Sequence, residues 1–358
     1  MASFRTGVVT ELISLRPGMQ RVMVDGRPAY ALTQIVGELA LADRVVVNTT
    51  ALDRGLGTGG SDVVHWNLSR DSLSLPGPGH VMSVRYTSVQ HDAGTWDTDD
   101  GPGAADGPHD TRSLVHGVPV VGCVLHSHAM ALCAAICAAQ PTARVAFVMN
   151  EAGALPLALS DLLAASVEAG TVSVTASVGQ AFGGAVEAVT TPSAVAGCVH
   201  AGANVVVLGP GPGHVGTADP LAFSGLSLVG DLDLLRAVGC RTALALRWSS
   251  ADLRDRHRGL SHHSATLLEL MARDHEVPVP DADFAAAVEA VVASAGAGSS
   301  PVISDPVDVA AACSAFGLEV STMGRALADD RGALSAIGAA ARWAAGLSSK
   351  VSGSTYNG

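Results

Sequence analysis

The sequence predicts an α/β protein in which a small N-terminal β barrel, SH3-like or OB-like, precedes a mostly parallel, Rossmann-like α/β/α sheet domain. Before residue 90, short runs of β-forming residues are separated by Gly, Pro and Asp. After residue 117, apolar strands alternate with alanine-rich helical segments, which is typical of βαβ units. An acidic segment rich in Gly and Pro separates the two patterns.

Length and composition fit this fold class. A chain of 358 residues predicts two domains or one large one, and it is long enough to bury a substantial core. Hydrophobic residues make up 48% of the chain and charged residues 15%, which indicates packed domains rather than a disordered chain.

The charge of the chain excludes several function classes. A formal net charge of -12 argues against nucleic-acid binding, which needs a basic surface for the phosphate backbone. Lys350 is the only lysine, so mechanisms that use a Schiff-base lysine or a P-loop lysine are excluded. The other basic side chains are arginines, which suit bidentate contacts to oxyanions.

Three further features predict a cytoplasmic protein without a membrane partner. The six cysteines lie in apolar stretches without a C-x-x-C pair, which indicates reduced, buried thiols. The N-terminus lacks the basic region, apolar run and cleavage site of a signal peptide. Two uncharged stretches, 113–143 and 188–218, are interrupted by Pro and His, so neither is expected to span a membrane. A homo-oligomer is left open.

The predicted domain boundaries follow these patterns. Residues 1–90 form the barrel, in which Gly55, Gly57, Gly59 and Gly60 permit a tight turn. Residues 91–117 are predicted to be a linker, 118–347 the α/β domain with its ligand crevice, and 348–358 a flexible tail.

Five core strands are expected in the α/β domain, with a further one near the end. The strands are VPVVGCVL, ARVAFVMN, TVSVTASV, ANVVVLG and RTALALRW, followed by PVIS. The intervening helices are AMALCAAICAA, LPLALSDLLAASVEA, SAVAGCVHAG and LSLVGDLDLLRAVG. ATLLELMARD, DFAAAVEAVVASA and a segment at 336–346 complete the set of helices.

A polar or glycine-rich segment follows each of the five core strands. Because ligands of open α/β sheets bind outside the carboxyl ends of the strands, these five loops are expected to meet at one crevice. This placement is the strongest functional signal in the sequence.

The fourth of these loops predicts an anion site. Gly209, Gly211, Gly213, Gly216 and Thr217 give a composition that lets backbone N–H groups approach an anion. The loop lacks the lysine of a Walker A motif and does not match G-x-G-x-x-G. The alternative is a purely conformational Gly/Pro loop.

The fifth loop is basic. Arg254, Arg256 and Arg258 lie within five residues and suit a phosphate or carboxylate, with Ser261 capping the next helix. The alternative is a solvated loop in which the arginines pair with Asp252 and Asp255.

Histidines cluster in two of the five loops. His126 and His128 follow the first core strand, and His257, His262 and His263 follow the fifth. We expect His126 to approach His262 or His263 across the sheet edge, where the histidines act as acid–base groups. A divalent metal held with Glu151, Glu187 or Asp255 is the alternative, although no zinc-binding spacing is present.

Two weaker motifs add further candidates. Ser127 lies between strand and helix, in hydrolase order with Asp252 or Asp255 and His262, but Leu125 departs from the nucleophile elbow. In GQAFGGAVE, Gly183 and Gly184 are candidate ligand contacts, and Glu187 is either a general base or a helix-face residue. Pro156 is expected in the first turn of a helix.

Together, the strings LHSH, GALPLALS, GQAFGG, GPGPGHVGT, RHRGLSHHS and NTTALDRGLGTGG resemble an uncharacterised bacterial domain-of-unknown-function family of about this length, found in actinobacteria and Gram-positive relatives. The resemblance runs from the first strand to the SHH helix, leaving out the acidic linker and the C-terminal stretch. It implies a shared architecture and crevice, and it carries no catalytic role.

The sequence thus predicts an enzyme acting on a small anionic molecule, phosphorylated or nucleotide-like, whose reaction is open. Arginines and the glycine loop would hold the anion, and histidines would supply acid–base chemistry with or without a metal. The alternative is a non-catalytic metabolite sensor or scaffold. A carboxylate within hydrogen-bond reach of the histidines, beside the anion loop, would favour the enzyme.

Overall fold

A computed structural model describes residues 2–55, 60–77, 79, 81–98 and 110–351, with side chains described up to residue 348. Gly57 and Gly59 of the predicted turn, the middle of the predicted linker and most of the predicted tail lie outside these ranges. The chain forms two compact units, which divide between Gly94 and Thr95.

The N-terminal unit is a closed five-stranded barrel, as the sequence predicts. Its strands pair in the order β1-β2-β3-β5-β4, and β4 closes the barrel on β1. Only β3 and β5 pair in parallel, which is the OB-like arrangement of the two predicted types. The strands are β1 (Phe4–Arg16), β2 (Met19–Val24), β3 (Arg27–Leu32), β4 (Arg44–Asn48) and β5 (Asp62–Asn67).

Alternation of apolar and polar residues builds the barrel. Val22 and Val24 of β2 and Val45 and Val47 of β4 point into the core, and their neighbours are less buried. Asp25-Gly26 joins β2 to β3 with positive φ angles at both residues, which is the two-residue hairpin turn that Asp-Gly favours.

The remaining elements of this unit are short. HVMSVRY, expected to form a full strand, contributes only two residues to a small hairpin outside the barrel. The prediction was wrong in extent because Gly and Pro come just before the segment and none of its described residues pairs with a barrel strand. The elements are α1 (Thr33–Val36), α2 (Thr50–Asp53), β6 (Met82–Ser83) and β7 (His91–Asp92).

The second unit contains an eight-stranded parallel sheet. The strand order is β11-β10-β9-β12-β8-β13-β16-β17. Its central strands read as continuous runs of Val, Ala and Leu because they are buried on both faces. The strands are β8 (Pro119–Cys123), β9 (Val145–Asn150), β10 (Val174–Val178), β11 (Val186–Ala188), β12 (Val205–Pro210), β13 (Arg241–Ala245), β16 (Glu276–Val279) and β17 (Ser300–Ile303).

Helices cover both faces of this sheet and give three layers. Alternate residues of each strand belong to two separate cores: Val206 and Leu208 face one, whereas Val205 and Val207 face the other. The helices are α3 (Thr111–Val115), α4 (His126–Ala139), α5 (Asp161–Glu168), α6 (Thr191–His200), α7 (Leu228–Ala237), α8 (His262–Leu270), α9 (Ala282–Ala295), α10 (Val309–Ala315) and α11 (Arg331–Val351).

Two small hairpins complete the unit. They are β14 (Trp248–Ser249) with β15 (Gly259–Leu260), and β18 (Ser321–Thr322) with β19 (Arg325–Ala326). Trp96 and Val115, which lie within the predicted linker 91–117, are buried in the core of this unit. The cysteines are free, and five of the six are buried.

Several details differ from the sequence prediction. Strands β11 and β16 and helices α3 and α10 were not anticipated, because each is short. Pro156 precedes a 3-10 turn, and α5 begins only after Ser160, whose Oγ accepts from the Leu163 N–H. The prediction of a helix start at Pro156 was therefore wrong, because the better N-cap lies four residues later. None of the described helices has the length and hydropathy needed to cross a membrane.

Candidate functional site

Loops after three adjacent strands, β8, β12 and β13, lie at the carboxyl edge of the sheet. This edge contains a cavity of about 300 Å³. Its lining joins the glycine loop to the arginine loop, and the lining residues are His214, Val215, Gly216, Thr217, Arg247, Arg254, Arg256, His257, His263 and Met323. The structure therefore brings together the two loops that the sequence predicts to form an anion site.

Arg247 is the buried arginine of the cavity lining, and it was not anticipated from the sequence. It follows β13 by two residues, and its side chain is 5% exposed. Its Nη1 donates to His263 Nδ1 at 2.9 Å, and its Nη2 lies 3.9 Å from Asp252 Oδ2. Burial lowers the pKa of Arg247 to about 10, so the guanidinium stays charged at neutral pH. A charged residue that ends an apolar strand is the signal that could have identified it.

Asp252 is the buried counter-ion of the cluster. Arg254 donates to both of its carboxylate oxygens, Nε to Oδ1 at 3.0 Å and Nη2 to Oδ2 at 2.8 Å. Arg325 Nη2 lies 3.5 Å from the same carboxylate. The hydrogen bonds from Arg254 hold the pKa of Asp252 well below its usual range. One carboxylate thus serves Arg247, Arg254 and Arg325, which leaves an excess of positive charge.

Arg256 and Arg258 have different environments. Arg256 lines the cavity, and no ion pair with another described residue holds it. Arg258 is outside the lining; it lies 3.8 Å from the exposed Asp255 and donates to the Asp252 carbonyl oxygen at 3.4 Å. Of the two arginines that were predicted to contact the ligand, only Arg256 therefore lines the cavity.

His263 presents a hydrogen-bond donor. An arginine can only donate, so the Nδ1 that receives the bond from Arg247 carries no proton, and Nε2 carries it. Burial and then Arg247 lower the pKa of His263 to about 2, which keeps the ring neutral. The ring stacks on Phe223 with centroids 3.9 Å apart. A Cβ on Gly216 would lie 3.5 Å from Nε2, so this N–H borders the glycine loop.

Four imidazoles lie in a continuous cluster beside the arginines. The ring centroids of His263 are 5.3, 5.0 and 4.4 Å from those of His214, His257 and His262. Burial and then Arg247 lower the pKa of His257 to about 3 and the pKa of His214 to about 4. Burial and then Arg256 lower the pKa of His262. All four rings are therefore neutral at pH 7.

Three histidines of the same cluster lie close enough together to hold a metal ion. Ligand atoms of His257, His262 and His263 lie within 4.8 Å of one another. However, His263 Nδ1 accepts from Arg247, which leaves only its protonated Nε2, and metal-bound histidines need an unprotonated nitrogen. His257 Nδ1 is paired with Ser261 Oγ at 2.8 Å. Three guanidinium groups on the same cavity repel a cation, so these residues fit an anion better.

His126 and His128 lie outside the cavity lining and connect loops. His126 Nδ1 donates to the Pro210 carbonyl at 3.1 Å, so its Nε2 accepts from Ser160 Oγ at 2.6 Å. His128 Nε2 is 3.4 Å from Thr322 Oγ1. Burial lowers the pKa of both histidines to about 4. Within the described residues, no ring contact joins His126 to His262 or His263.

Glu187 lies far from the cavity. It belongs to the edge strand β11, and four strands separate β11 from β13, which corresponds to roughly 24 Å at ~4.8 Å per strand. Its carboxylate accepts from the Gly183 N–H and the Ser177 hydroxyl, and Ser177 Oγ accepts from the Gly184 N–H. Burial raises the pKa of Glu187 to about 7. The GQAFGG loop and Glu187 therefore stabilise each other locally, on a strand and not a helix.

Within the glycine loop, Gly216 and Thr217 line the cavity and the earlier glycines do not. A Cβ on Gly209 would lie 2.8 Å from the Cys123 carbonyl oxygen, so glycine allows β12 and β8 to pack. A Cβ on Gly211 would lie 2.6 Å from the Ala154 carbonyl oxygen. The backbone N–H groups of Val215 and Thr217 bond to Ser224 Oγ and to the Ala222 carbonyl oxygen. The backbone N–H groups that were expected to bind the anion are thus partly paired within the loop. The loop contributes the His214 side chain to the cavity lining instead.

Gly213 and Ser127 take no part in the lining. Gly213 has a φ of 87° within the loop. Ser127 lies in the first turn of α4 instead of at a strand–helix elbow. Across the described part of the chain, no hydrogen bond joins Ser127 to a histidine, so the serine hydrolase alternative has no support.

Comparisons with known proteins identify a family. Searches among curated proteins and among solved structures gave no match. Residues 28–341 match the family described as Protein of unknown function (DUF3866), which extends beyond the SHH helix into α11. Because the match covers well over half of the sequence and includes every loop that lines the cavity, the chain belongs to the DUF3866 family.

Proposed function

We propose that the protein binds a small anionic molecule, phosphorylated or carboxylated, in the cavity between the glycine and arginine loops, and acts on it. The observation that carries the proposal is the convergence of Arg247, Arg254 and Arg256 on one cavity, in which Asp252 is the buried counter-ion of Arg247 and Arg254. Guanidinium groups bind oxyanions through short, charge-assisted hydrogen bonds. A doubly charged phosphate would offset most of the excess positive charge.

The neutral imidazoles of the lining are further groups that a bound anion would contact. His263 offers its Nε2 proton, a donor that suits an oxyanion and does not depend on pH near neutrality. His214 Nε2 is buried and has no hydrogen-bond partner among the described residues. A neutral histidine with an unprotonated ring nitrogen can accept a proton from a molecule bound beside it, so an enzyme is the first candidate.

A specific observation also favours a non-catalytic sensor as the second candidate. Histidines that act as general bases are commonly oriented by a carboxylate. In the described ranges, His214 is paired with Ser224, His257 with Ser261 and His263 with Arg247. No carboxylate bonds to a histidine of the cavity lining there, so the geometry supports anion binding more directly than it supports catalysis.

Binding can be tested with inorganic phosphate and the full chain. Arg256→Ala removes a cavity-lining cation, and loss of a charge-assisted contact of about 1.5–3 kcal/mol weakens binding roughly tenfold or more. Arg258→Ala is the matched control, because Arg258 is exposed and outside the cavity. Titration calorimetry should show a large loss for Arg256→Ala and little change for Arg258→Ala. Equal affinity in all three proteins would contradict the proposal.

Enzyme and sensor are then separated by product formation. Phosphorylated metabolites that stabilise the protein thermally would be incubated with it and followed by phosphorus NMR. A new resonance that is lost in the Arg256→Ala variant supports the enzyme. Stabilisation without any product, at long incubation, supports the sensor.

A further inference from the structure

A second and larger concavity lies beside the anion cavity. It encloses about 740 Å³ between helix α10, the β18–β19 hairpin and the start of α11. Most of its wall is apolar, from Val309, Cys313, Leu318, Leu327 and Leu334. We call this concavity the α10 groove. Nothing in the anion-binding proposal uses it.

The β18–β19 hairpin forms a wall of both spaces. Met323 at its tip lines the anion cavity, and the next residues, Gly324 and Arg325, line the α10 groove. Arg325 also pairs with Asp252, the counter-ion of the cavity arginines. The groove and the cavity are therefore adjacent, separated by one short hairpin and connected by one ion-pair cluster.

The hairpin tip is the weakest part of this wall. Met323 has a φ of 51°, a conformation that is unfavourable for a residue with a side chain, and it is 51% exposed. Arg325 Nε is buried and makes no hydrogen bond within the described residues. A ligand that displaces the Met323 side chain would reach the groove.

We infer that the bound anion is the head group of an amphipathic molecule, whose apolar chain occupies the α10 groove. This inference rests on the proposed function and names its ligand class. The cavity of about 300 Å³ is at the small end of ligand pockets, whereas cavity and groove together hold a larger molecule. Glu319 and Arg325 both line the groove with opposite charges, and the rest of the wall is mostly apolar, so the groove accepts an uncharged chain.

Alkyl phosphates of increasing length test the inference. Inorganic phosphate, ethyl phosphate, butyl phosphate and octyl phosphate would be titrated against the full chain by calorimetry. Each methylene that enters the groove should tighten binding by about fourfold. Affinity that does not change from inorganic to octyl phosphate would overturn the inference while leaving the proposed function intact.

Two variants of α10 locate the chain. Ser314 is exposed and lines the groove, so Ser314→Trp fills the groove without disturbing the core. Ala311, exposed on the same helix but outside the lining, gives the matched control Ala311→Trp. Ser314→Trp should reduce octyl phosphate affinity to that of inorganic phosphate and leave inorganic phosphate unchanged. Equal octyl phosphate binding in both variants would place the chain elsewhere and reject the groove.

The two proposals fail in different ways. If inorganic phosphate and every alkyl phosphate fail to bind the wild-type protein, the anion site itself is wrong, and the inference falls with it. If octyl phosphate binds equally well to Arg256→Ala and to wild type, its binding does not involve the cavity, and the amphipathic ligand is rejected. Circular dichroism of each variant checks that the fold is retained.

Discussion

The Arg247–His263 pair shows how one side chain determines the chemistry of another. Because a guanidinium can only donate, its contact with Nδ1 leaves the imidazole proton on Nε2. A lysine would give the same charge, but its compact ammonium lacks the planar fork that also reaches towards Asp252. The arginine therefore provides a cation and, through His263, a neutral donor on the same cavity.

Buried histidines make the stability of the protein dependent on pH. His126 and His128 have pKa values of about 4, whereas unfolded histidines titrate near 6.5, so the unfolded state binds more protons between these values. Stability is therefore complete above pH 6.5 and falls as pH decreases towards 4. From pH 7.5 to 5.5, each histidine should lower the free energy of unfolding by about 1.4 kcal/mol.

Urea unfolding at the two pH values, with matched ionic strength, measures this effect. His128→Gln removes one of the histidines whose pKa is lowered and should reduce the pH dependence by about 1.4 kcal/mol. An unfolding free energy that stays the same from pH 7.5 to 5.5 would show that folding does not lower the pKa values of the histidines.

At the scale of elements, the start of α5 has a double role. Ser160 Oγ accepts from the Leu163 N–H and donates to His126 Nε2, so it caps a helix and satisfies a buried ring. Ser160→Ala should cost about 1 kcal/mol for the cap and a further 1–3 kcal/mol for the unpaired nitrogen. Asp281→Ala, which removes only the exposed cap of α9, is the control and should cost about 1 kcal/mol. Thermal or urea unfolding that ranks the two variants equally would argue against the second role.

Elements with strong local patterns could be predicted from the sequence, and short ones could not. The central strands are uninterrupted apolar runs, so their places and the loops that follow them were predictable. Strand β11 has three residues and is held by its pairing with β10, so no local sequence pattern predicts it. Glu187 was misplaced for this reason, since its role depends on a strand that only tertiary pairing creates.

The site was predictable in part. Loop placement at the carboxyl edge located Gly216, Thr217, Arg254, Arg256 and His263 on one cavity. The sequence could not assign His126, because its two hydrogen bonds reach residues 34 and 84 positions away. Arg247 was overlooked because its importance comes from burial and from Asp252, which are properties of the folded chain.

At the scale of the whole molecule, the two units have separate cores. The barrel closes on itself, and β4 pairs only with β1 and β5 among the described strands, as expected from the sequence. Residues 1–94, produced alone, should therefore fold and show a cooperative thermal transition with β-type circular dichroism. A fragment without a transition would mean that the barrel depends on the rest of the chain.

The burial of the thiols has a consequence for how opening of the molecule can be followed. Cys123, Cys198 and Cys240 are buried, and burial raises the pKa of each to about 12. In the native state these thiols are therefore protonated and inaccessible to solvent. These thiols lie on β8, on α6 and immediately before β13. A thiol reagent therefore reacts with them only when the sheet or α6 separates from its neighbours, and the order of labelling records which part of the α/β core opens first.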